Sequence, residues 1–176
     1  ANYGANTVSR VDLSSYQVTG SLDTGNGPVA VSKINGKLYI LSQLSQNLEV
    51  YAANDESLVT VIPVGLEACA MVKTSSQLVV VNSGSDKLIA VNLSDDSLGG
   101  TKTYEGTPVA IVMAESSLYL ASRDSGYLYE VSPVPLTLVD SVSLGSGIEN
   151  IAYEPSAGIV MVASTSQRKI YLVNAK

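Results

Sequence analysis

The chain has 176 residues, of which 45% are apolar, and it carries a formal net charge of -6 with only 10 lysines and arginines. This length and apolar content suffice for a hydrophobic core without disulfides or a structural metal. The sparse cations argue against surfaces for nucleic acid or anionic membranes, which require clustered positive charge. The sequence lacks an apolar run long enough for membrane insertion. The N-terminus also lacks the pattern of a signal peptide, so we expect a removed leader or a chain cut from a longer protein.

Equivalent residues recur every 40 positions along the chain. Val8, Leu48, Leu88 and Leu128 follow one another at this spacing. The single repeat array, 1–176, divides into repeats 1–40, 41–80, 81–120 and 121–162 and a partial repeat 163–176, the fourth being lengthened by the segment EPSAG. A period of about 40 residues with several short strands in each repeat is typical of the blades of a β-propeller.

Each repeat contains four predicted strands, rich in β-branched and aliphatic residues and separated by Gly, Asn, Asp and Ser. The chain opens with the third and fourth strand types, TVSRVDL and QVTGSLD. The first and second types follow as PVAVSKI and KLYIL, joined by Asn35-Gly36, which suits a tight hairpin turn. The same types recur in order to the end of the chain. The predicted fold is therefore all-β, a propeller of four-stranded antiparallel blades.

The composition of each strand type predicts its place in a blade. The first type is small and apolar, as an innermost strand should be, and we expect its in-register residues, Val31, Met71, Ile111 and Ile151, to be buried. On that basis Met71→Asp would cost several kcal/mol. Cys69, in the same strand type, is interpreted as a small buried hydrophobe rather than a reactive thiol. The second type suits a strand covered on both faces, and the polar fourth type suits an outer edge.

The strand types at the two ends do not complete a whole number of blades. After three full blades the chain closes with a first, a second and a third strand. The closing strand contains Lys169, Ile170, Tyr171, Leu172 and Val173, and its outer edge is expected to recruit a partner strand. Three arrangements stay open: part of a larger propeller, a head-to-tail assembly of copies, or a closed four-bladed monomer.

The repeats resemble the YVTN-type β-propeller repeat of bacterial and archaeal surface-layer and secreted proteins. The resemblance covers the whole chain, and its pieces stand in the family's order: ANTVSRVD at 5–12, GPVAV at 27–31, LYI at 38–40, VIPVG at 61–65 and VNSGSD at 81–86. It implies four-stranded blades around a central channel, often seven in the family. It implies no single activity, because such propellers serve as surface-layer components, adhesion modules and binding platforms, and relatives include lyases and lactonases.

Few residues carry recognisable chemistry. The chain has no histidine, so the commonest general base and metal ligand is missing. Asp23, Glu67, Glu105 and Glu149 lie in predicted loops near one mouth of the channel, where a ring of carboxylates would hold a hard cation. A solvated acidic rim is the simpler interpretation, because the sequence has no calcium-loop motif, and we expect these residues to be dispensable for folding.

Two further candidates concern saccharides. Asn92 begins a glycosylation sequon, Asn-Leu-Ser, in a predicted turn, although a chain rich in Asn and Ser yields such triplets by chance. The ten tyrosines include several in predicted strands, where packing is favoured over a sugar-binding platform.

The sequence therefore predicts a non-enzymatic structural or interaction module, extracellular or on the cell surface, without a cofactor. Its abundant Ser, Thr, Asn and Gly are typical of secreted β proteins. The expected partners are other copies of the chain or other surface proteins, with a saccharide or a cation as a further candidate. The alternative is a secreted lyase or lactonase on the same scaffold, with an acidic channel mouth.

Overall fold

The computed structural model describes residues 1–175, which fold into short antiparallel strands. A boundary between two compact units falls between Cys69 and Ala70. Within the described residues, no helix has the length and apolar character needed to cross a membrane.

The first unit contains two sheets. A two-stranded sheet pairs β1 (Thr7–Asp12) with β2 (Gln17–Asp23). A four-stranded sheet follows, in which the strands lie in chain order: β3 (Pro28–Ile34), β4 (Lys37–Ser42), β5 (Asn47–Ala52) and β6 (Leu58–Pro63). The N-terminal pair therefore consists of a third and a fourth strand, as the strand types predicted.

Three sheets account for the rest of the described chain. The unit boundary falls inside the first strand of the sheet formed by β7 (Ala68–Lys73), β8 (Gln77–Asn82), β9 (Lys87–Asn92) and β10 (Leu98–Thr103). The next sheet contains β11 (Pro108–Ala114), β12 (Ser117–Ser122), β13 (Tyr127–Pro133) and β14 (Leu136–Ser143). The last sheet has three strands, β15 (Ile148–Glu154), β16 (Ile159–Ser164) and β17 (Lys169–Asn174).

The turns follow from the residues placed in them. Asn35 and Gly36 join β3 to β4 with φ values of 50° and 79°, the left-handed conformation that a two-residue hairpin of this type requires. The corresponding turn between β15 and β16 holds residues 155–158, so the EPSAG insertion lengthens a turn and leaves the strand order intact.

Carboxylates at three hairpin turns bind the serine two positions later. Each accepts one hydrogen bond from the serine hydroxyl and one from the serine backbone N–H, at 2.5–3.1 Å, in the pairs Asp12–Ser14, Asp55–Ser57 and Glu154–Ser156. Such bonds favour the charged carboxylate. The hydrogen bond from the serine hydroxyl is the main cause of a lowered pKa in all three carboxyl groups. It lowers the pKa of Asp12 to about 2, and it also lowers the pKa values of Asp55 and Glu154.

Acid is expected to weaken these turns. A carboxyl whose folded pKa lies below its unfolded value of about 4 stabilises the fold above pH ~4, and it loses that contribution as the pH falls through the folded pKa. The free energy of unfolding, measured by urea titration, should therefore fall between about pH 4 and pH 2. In the triple variant Asp12→Asn, Asp55→Asn, Glu154→Gln the fall should be smaller. An identical pH dependence in the two proteins would contradict the role given to these carboxylates.

Burial separates the central strands from the outer ones. All residues of β8 and β12 are buried. All residues of β10 are exposed, and so are nearly all residues of β14. The predictions for the second and fourth strand types are thereby confirmed.

The expected burial of the first strand type is wrong in part. Val31 is 43% exposed, and Met71, Ile111 and Ile151 are only partly buried. Cys69 is also only partly buried. The reason is that these residues lie on strands at a sheet edge, where each side chain has a strand neighbour on one side alone. The cost expected for Met71→Asp is correspondingly smaller.

Candidate functional site

The last sheet ends in a strand with one partner. β17 pairs with β16 from Ser164↔Lys169 to Ile159↔Asn174. Among residues 1–175, no other strand pairs with β17. The outer edge of β17 therefore presents backbone groups that can bind a further strand. The strand lies third in the last sheet, as its strand type predicted; recruitment of a partner strand by Lys169, Ile170, Tyr171, Leu172 and Val173 stays a prediction.

The two faces of β17 differ in exposure. Ile170 and Leu172 are 69% and 67% exposed. Tyr171 and Val173 point to the opposite face and pack against a buried cluster that includes Leu128. One face of the strand is thus covered, whereas the other presents large apolar side chains to solvent.

In the preceding sheet, the residue equivalent to Ile170 is buried. Leu128 occupies this position in β13, because Leu128 pairs with Ala121 as Ile170 pairs with Ala163. Leu128 is only 1% exposed. The cluster that covers it includes three residues of the last sheet: Ile148, Val160 and Val162. In the preceding sheet, the face equivalent to the exposed face of β17 therefore lies against a neighbouring sheet.

A cavity of about 180 Å³ lies beside β17. We call it the β17 groove, and it is lined by Val173 and Asn174 and, from the preceding sheet, by Tyr119, Leu128, Glu130, Asp140, Ser141 and Val142. In that preceding sheet the equivalent place beside β13 is taken by β14. The β17 groove therefore has the position of a fourth strand.

Acidic side chains line one wall of the β17 groove. Glu130 is 7% exposed, and its Oε1 accepts a hydrogen bond of 2.9 Å from the Ser117 hydroxyl. Glu130 lies directly opposite Asp140 in the pairing of β13 with β14, so both side chains are on one face of the sheet. The groove combines this negative wall with apolar residues, and it favours a strand that carries apolar and basic side chains.

A second buried carboxylate was not foreseen from the sequence. Glu49 in β5 is 5% exposed, and its Oε2 accepts hydrogen bonds from the Gly25 N–H at 2.9 Å and from the Tyr51 hydroxyl at 3.0 Å. Burial, followed by the hydrogen bond to Glu49, raises the pKa of Tyr51 to about 12. The sequence did carry a signal for this buried carboxylate, namely a charged residue inside the apolar strand NLEVYAA. A role in packing explains it, since Glu49 ties β5 to the loop that follows β2.

Removing the Glu49 carboxylate is expected to lower the free energy of unfolding. Glu49→Leu removes the acceptor of the Gly25 N–H and leaves the Tyr51 hydroxyl with only the Asp23 carbonyl, at 3.4 Å, at a cost of about 1–3 kcal/mol. Glu49→Gln retains an acceptor oxygen and should cost less. Urea unfolding of the two variants provides the comparison. Equal stability of Glu49→Leu and the wild type would show that these bonds do not support the fold.

The four candidate carboxylates of the predicted rim occupy different settings. Asp23 ends β2, and Glu67 lies in an exposed loop with a φ of 58°. Glu105 is exposed, and its backbone carbonyl accepts a hydrogen bond of 2.7 Å from the Ser122 hydroxyl.

Glu149 differs from its predicted loop position. It lies in β15, partly buried, and its carboxylate pairs with the Arg123 guanidinium at 3.0 Å. The loop ends before it because Ile148 starts the strand as a fully buried residue. In the part of the chain that the structure describes, no three Asp, Glu or Cys side chains are grouped closely enough to hold a metal ion.

Asn92 ends β9 and begins the turn to β10. Its side-chain amide donates a hydrogen bond of 3.0 Å to the Ser97 hydroxyl, and its Oδ1 accepts one of 3.0 Å from Gln77. The nitrogen that a glycan would occupy therefore already supports the turn. Glycosylation of Asn92 stays a prediction.

No protein-family model matches the chain, and no curated protein matches it in sequence. Solved structures do match its fold. The hydrazine synthase of Kuenenia stuttgartiensis is 16% identical with a TM-score of 0.81, over 92% of this chain and 50% of that chain. A chain of a mitotic checkpoint complex is 14% identical with a TM-score of 0.86, over 98% and 56%. A functionally unknown protein of Desulfotomaculum acetoxidans DSM 771 is 14% identical with a TM-score of 0.78, over 97% and 63%.

The likeness at these identities concerns the fold alone. The chain spans between half and two thirds of the length of the three matched structures. Together with the four-stranded antiparallel sheets, the matches establish the chain as a β-propeller protein, with repeats of about 40 residues as its blades.

Proposed function

We propose that this chain is a structural or interaction module without enzymatic activity, located outside the cell or on the cell surface. The observation that carries the proposal is the set of exposed apolar side chains on the outer strands, 42–57% exposed: Leu58, Val59 and Val61 in β6 and Leu138 and Val139 in β14. Exposed apolar edges of this kind bind further strands or other proteins. The proposed partners are other copies of the chain or other surface proteins.

The proposal also assigns the repeats to the YVTN type. The segment VNSGSD supports this assignment, because its residues make a specific turn between the second and third strands. Asn82 Oδ1 accepts hydrogen bonds from the Ser85 N–H at 3.0 Å and from the Ser85 hydroxyl at 2.9 Å. Asp86 follows in the left-handed conformation with a φ of 55°. The composition, rich in Ser, Thr, Asn and Gly, supports a location outside the cell.

The chemistry of the ionisable residues supports a structural role. Asp12, Asp55 and Glu154, whose pKa values are lowered, bind serines in turns. Tyr51 and Tyr104 have pKa values raised to about 12 with burial as the main cause. These shifts accompany packing and turn formation, and the sequence supplies no histidine as a general base.

The competing function, a lyase or lactonase, is tested by turnover. The purified chain is incubated with simple lactones and with uronate-containing polysaccharides, and ring opening or chain cleavage is followed by proton release and by ultraviolet absorbance. We expect no turnover above the buffer. Turnover by the wild type that disappears in Glu105→Gln or Glu149→Gln would replace the proposal with the enzymatic alternative.

A further inference from the structure

We propose that a cavity beside β10 binds an N-acetylhexosamine, a sugar that carries an acetamido group. The cavity has a volume of about 220 Å³ and lies between β10 and the turn that joins β13 to β14. We call it the β10 cavity. All its lining residues belong to the second compact unit, and both sheets that form it have four strands. The inference rests on the proposed interaction role and adds a class of ligand to it.

The floor of the β10 cavity is open because two glycines stand where other blades have side chains. Gly100 pairs with β9 at the position where Thr60 pairs with β5, so β6 carries Val59 and Thr60 where β10 carries Gly99 and Gly100. No atom lies within 4 Å of the position of a Cβ added to Gly100. A Cβ on Gly99 would lie 2.6 Å from the Gln77 Nε2. Glycine inside a strand is typical of places where a ligand or another group approaches the backbone closely.

A buried amide presents a free acceptor to the β10 cavity. Gln77 is 8% exposed and lines the cavity, and its Nε2 donates a hydrogen bond of 3.0 Å to Asn92 Oδ1. Asn92 Nδ2 donates to the Ser97 hydroxyl at 3.0 Å, and this hydroxyl donates to the Asp95 carboxylate at 2.7 Å. A carboxylate only accepts, so the direction of every bond in the chain is determined. Gln77 Oε1 is left as an acceptor to which no group of residues 1–175 donates.

The opposite wall of the β10 cavity is apolar and comes from Val134, Pro135 and Leu136. The residues that line the cavity are uncharged, and a charged ligand would therefore lose hydration without gaining a partner. A neutral group that has a small apolar part beside an N–H donor fits these walls. An acetamido group has both parts, because its methyl packs against the apolar wall while its N–H donates to Gln77 Oε1. The unpaired acceptor thereby gains a hydrogen bond.

The size of the β10 cavity and its rim favour a sugar as the molecule that carries this group. The volume of about 220 Å³ is below the roughly 300–1,000 Å³ of cavities that hold drug-sized ligands, so it suits a single sugar ring. Thr101 is exposed at the cavity, where its hydroxyl can donate to or accept from ring hydroxyls. An acetylated lysine carries the same acetamido group, but its flexible chain has no hydroxyl for Thr101 and loses more conformational freedom on binding.

Titration followed by nuclear magnetic resonance tests the ligand class. N-acetylglucosamine and N-acetylgalactosamine are added to the 176-residue chain. We expect saturable shifts of the Gly99 and Gly100 backbone amides and of the Gln77 side-chain amide, with a dissociation constant of about 1 mM, since one small ring makes few contacts. Glucose, which lacks the acetamido group, should bind roughly tenfold more weakly or not at all. Absence of saturable binding by both acetamido sugars, equal binding of glucose, or tighter binding of N-acetyllysine would overturn the proposal.

Variants of the β10 cavity test the assigned contacts. Gln77→Met keeps the length of the side chain but removes the acceptor, and it should raise the dissociation constant roughly tenfold or more. Leu136→Ala leaves the hydrogen-bond chain intact and should weaken binding by reducing the apolar wall. Leu138→Ala is the matched control, because Leu138 lies on the same strand as Leu136, is 51% exposed and does not line the cavity.

Circular dichroism verifies that the three variants are folded. The control should bind the acetamido sugar as the wild type does, and equal affinities of all three variants would reject the site. The turnover assay with lactones and polysaccharides is independent of these measurements. Failure of sugar binding and failure of the proposed non-enzymatic role are therefore separate outcomes.

Discussion

Leu120→Ala is expected to lower the free energy of unfolding by about 2–5 kcal/mol. Leu120 lies in the middle of β12, pairs with Ile111 and Tyr129 on its two sides, and is 0% exposed. The truncation removes buried apolar surface and leaves a cavity in a strand whose residues are all buried. Urea unfolding followed by circular dichroism measures the loss.

The matched control for this substitution is Leu138→Ala. Leu138 lies on the outer strand of the same sheet and is 51% exposed, so its truncation should change the free energy of unfolding by about 0.5 kcal/mol or less. Equal losses in the two variants would mean that β12 is not the buried strand of its blade.

Gly126→Ala is expected to be the second highly destabilising change. Gly126 has a φ of 70°, and an added Cβ would lie 2.3 Å from the carbonyl carbon of Gly145 and 2.6 Å from the Ser146 nitrogen. The left-handed conformation costs about 1–2 kcal/mol for a residue with a side chain. The clash with backbone adds to this cost, because the loop at Gly145 must move.

Gly36→Ala separates the two contributions. Gly36 has a φ of 79°, but no atom lies within 4 Å of the position of an added Cβ. Its loss of stability should therefore stay near the conformational cost of about 1–2 kcal/mol. If thermal unfolding gave the same change in midpoint for both variants, the close approach of the Gly126 turn to the Gly145 loop would be disproved.

The repeat pattern predicts most of the fold because each strand type has a distinct composition. The in-register spacing of Val8, Leu48, Leu88 and Leu128 placed the third strands correctly, and the count of strand types predicted both the N-terminal pair and the three-stranded last sheet. The hairpin at Asn35-Gly36 was predictable because its conformation is decided by two adjacent residues.

Features that depend on contacts across sheets were not predictable in this way. Val31 has the composition of a core residue, yet its exposure is set by its place on an edge strand. The fold buries Glu49 against the Gly25 N–H of a loop distant in sequence, and it buries Glu130 beside the Ser117 hydroxyl on the neighbouring strand. The β17 groove likewise depends on the shape of the preceding sheet, which supplies most of its lining.

Hydrogen exchange within one blade tests the central claim, the order of the strands in the propeller blade, most directly. β12 lies between β11 and β13 and all its residues are buried, so its backbone amides should exchange slowly. β14 is the outer strand of the same sheet and nearly all its residues are exposed, so exchange measured by mass spectrometry in peptides covering 136–143 should be much faster. Slow exchange in β12 beside fast exchange in β14 is the predicted result, and equal exchange in the two strands would contradict the assigned order of strands in the blade.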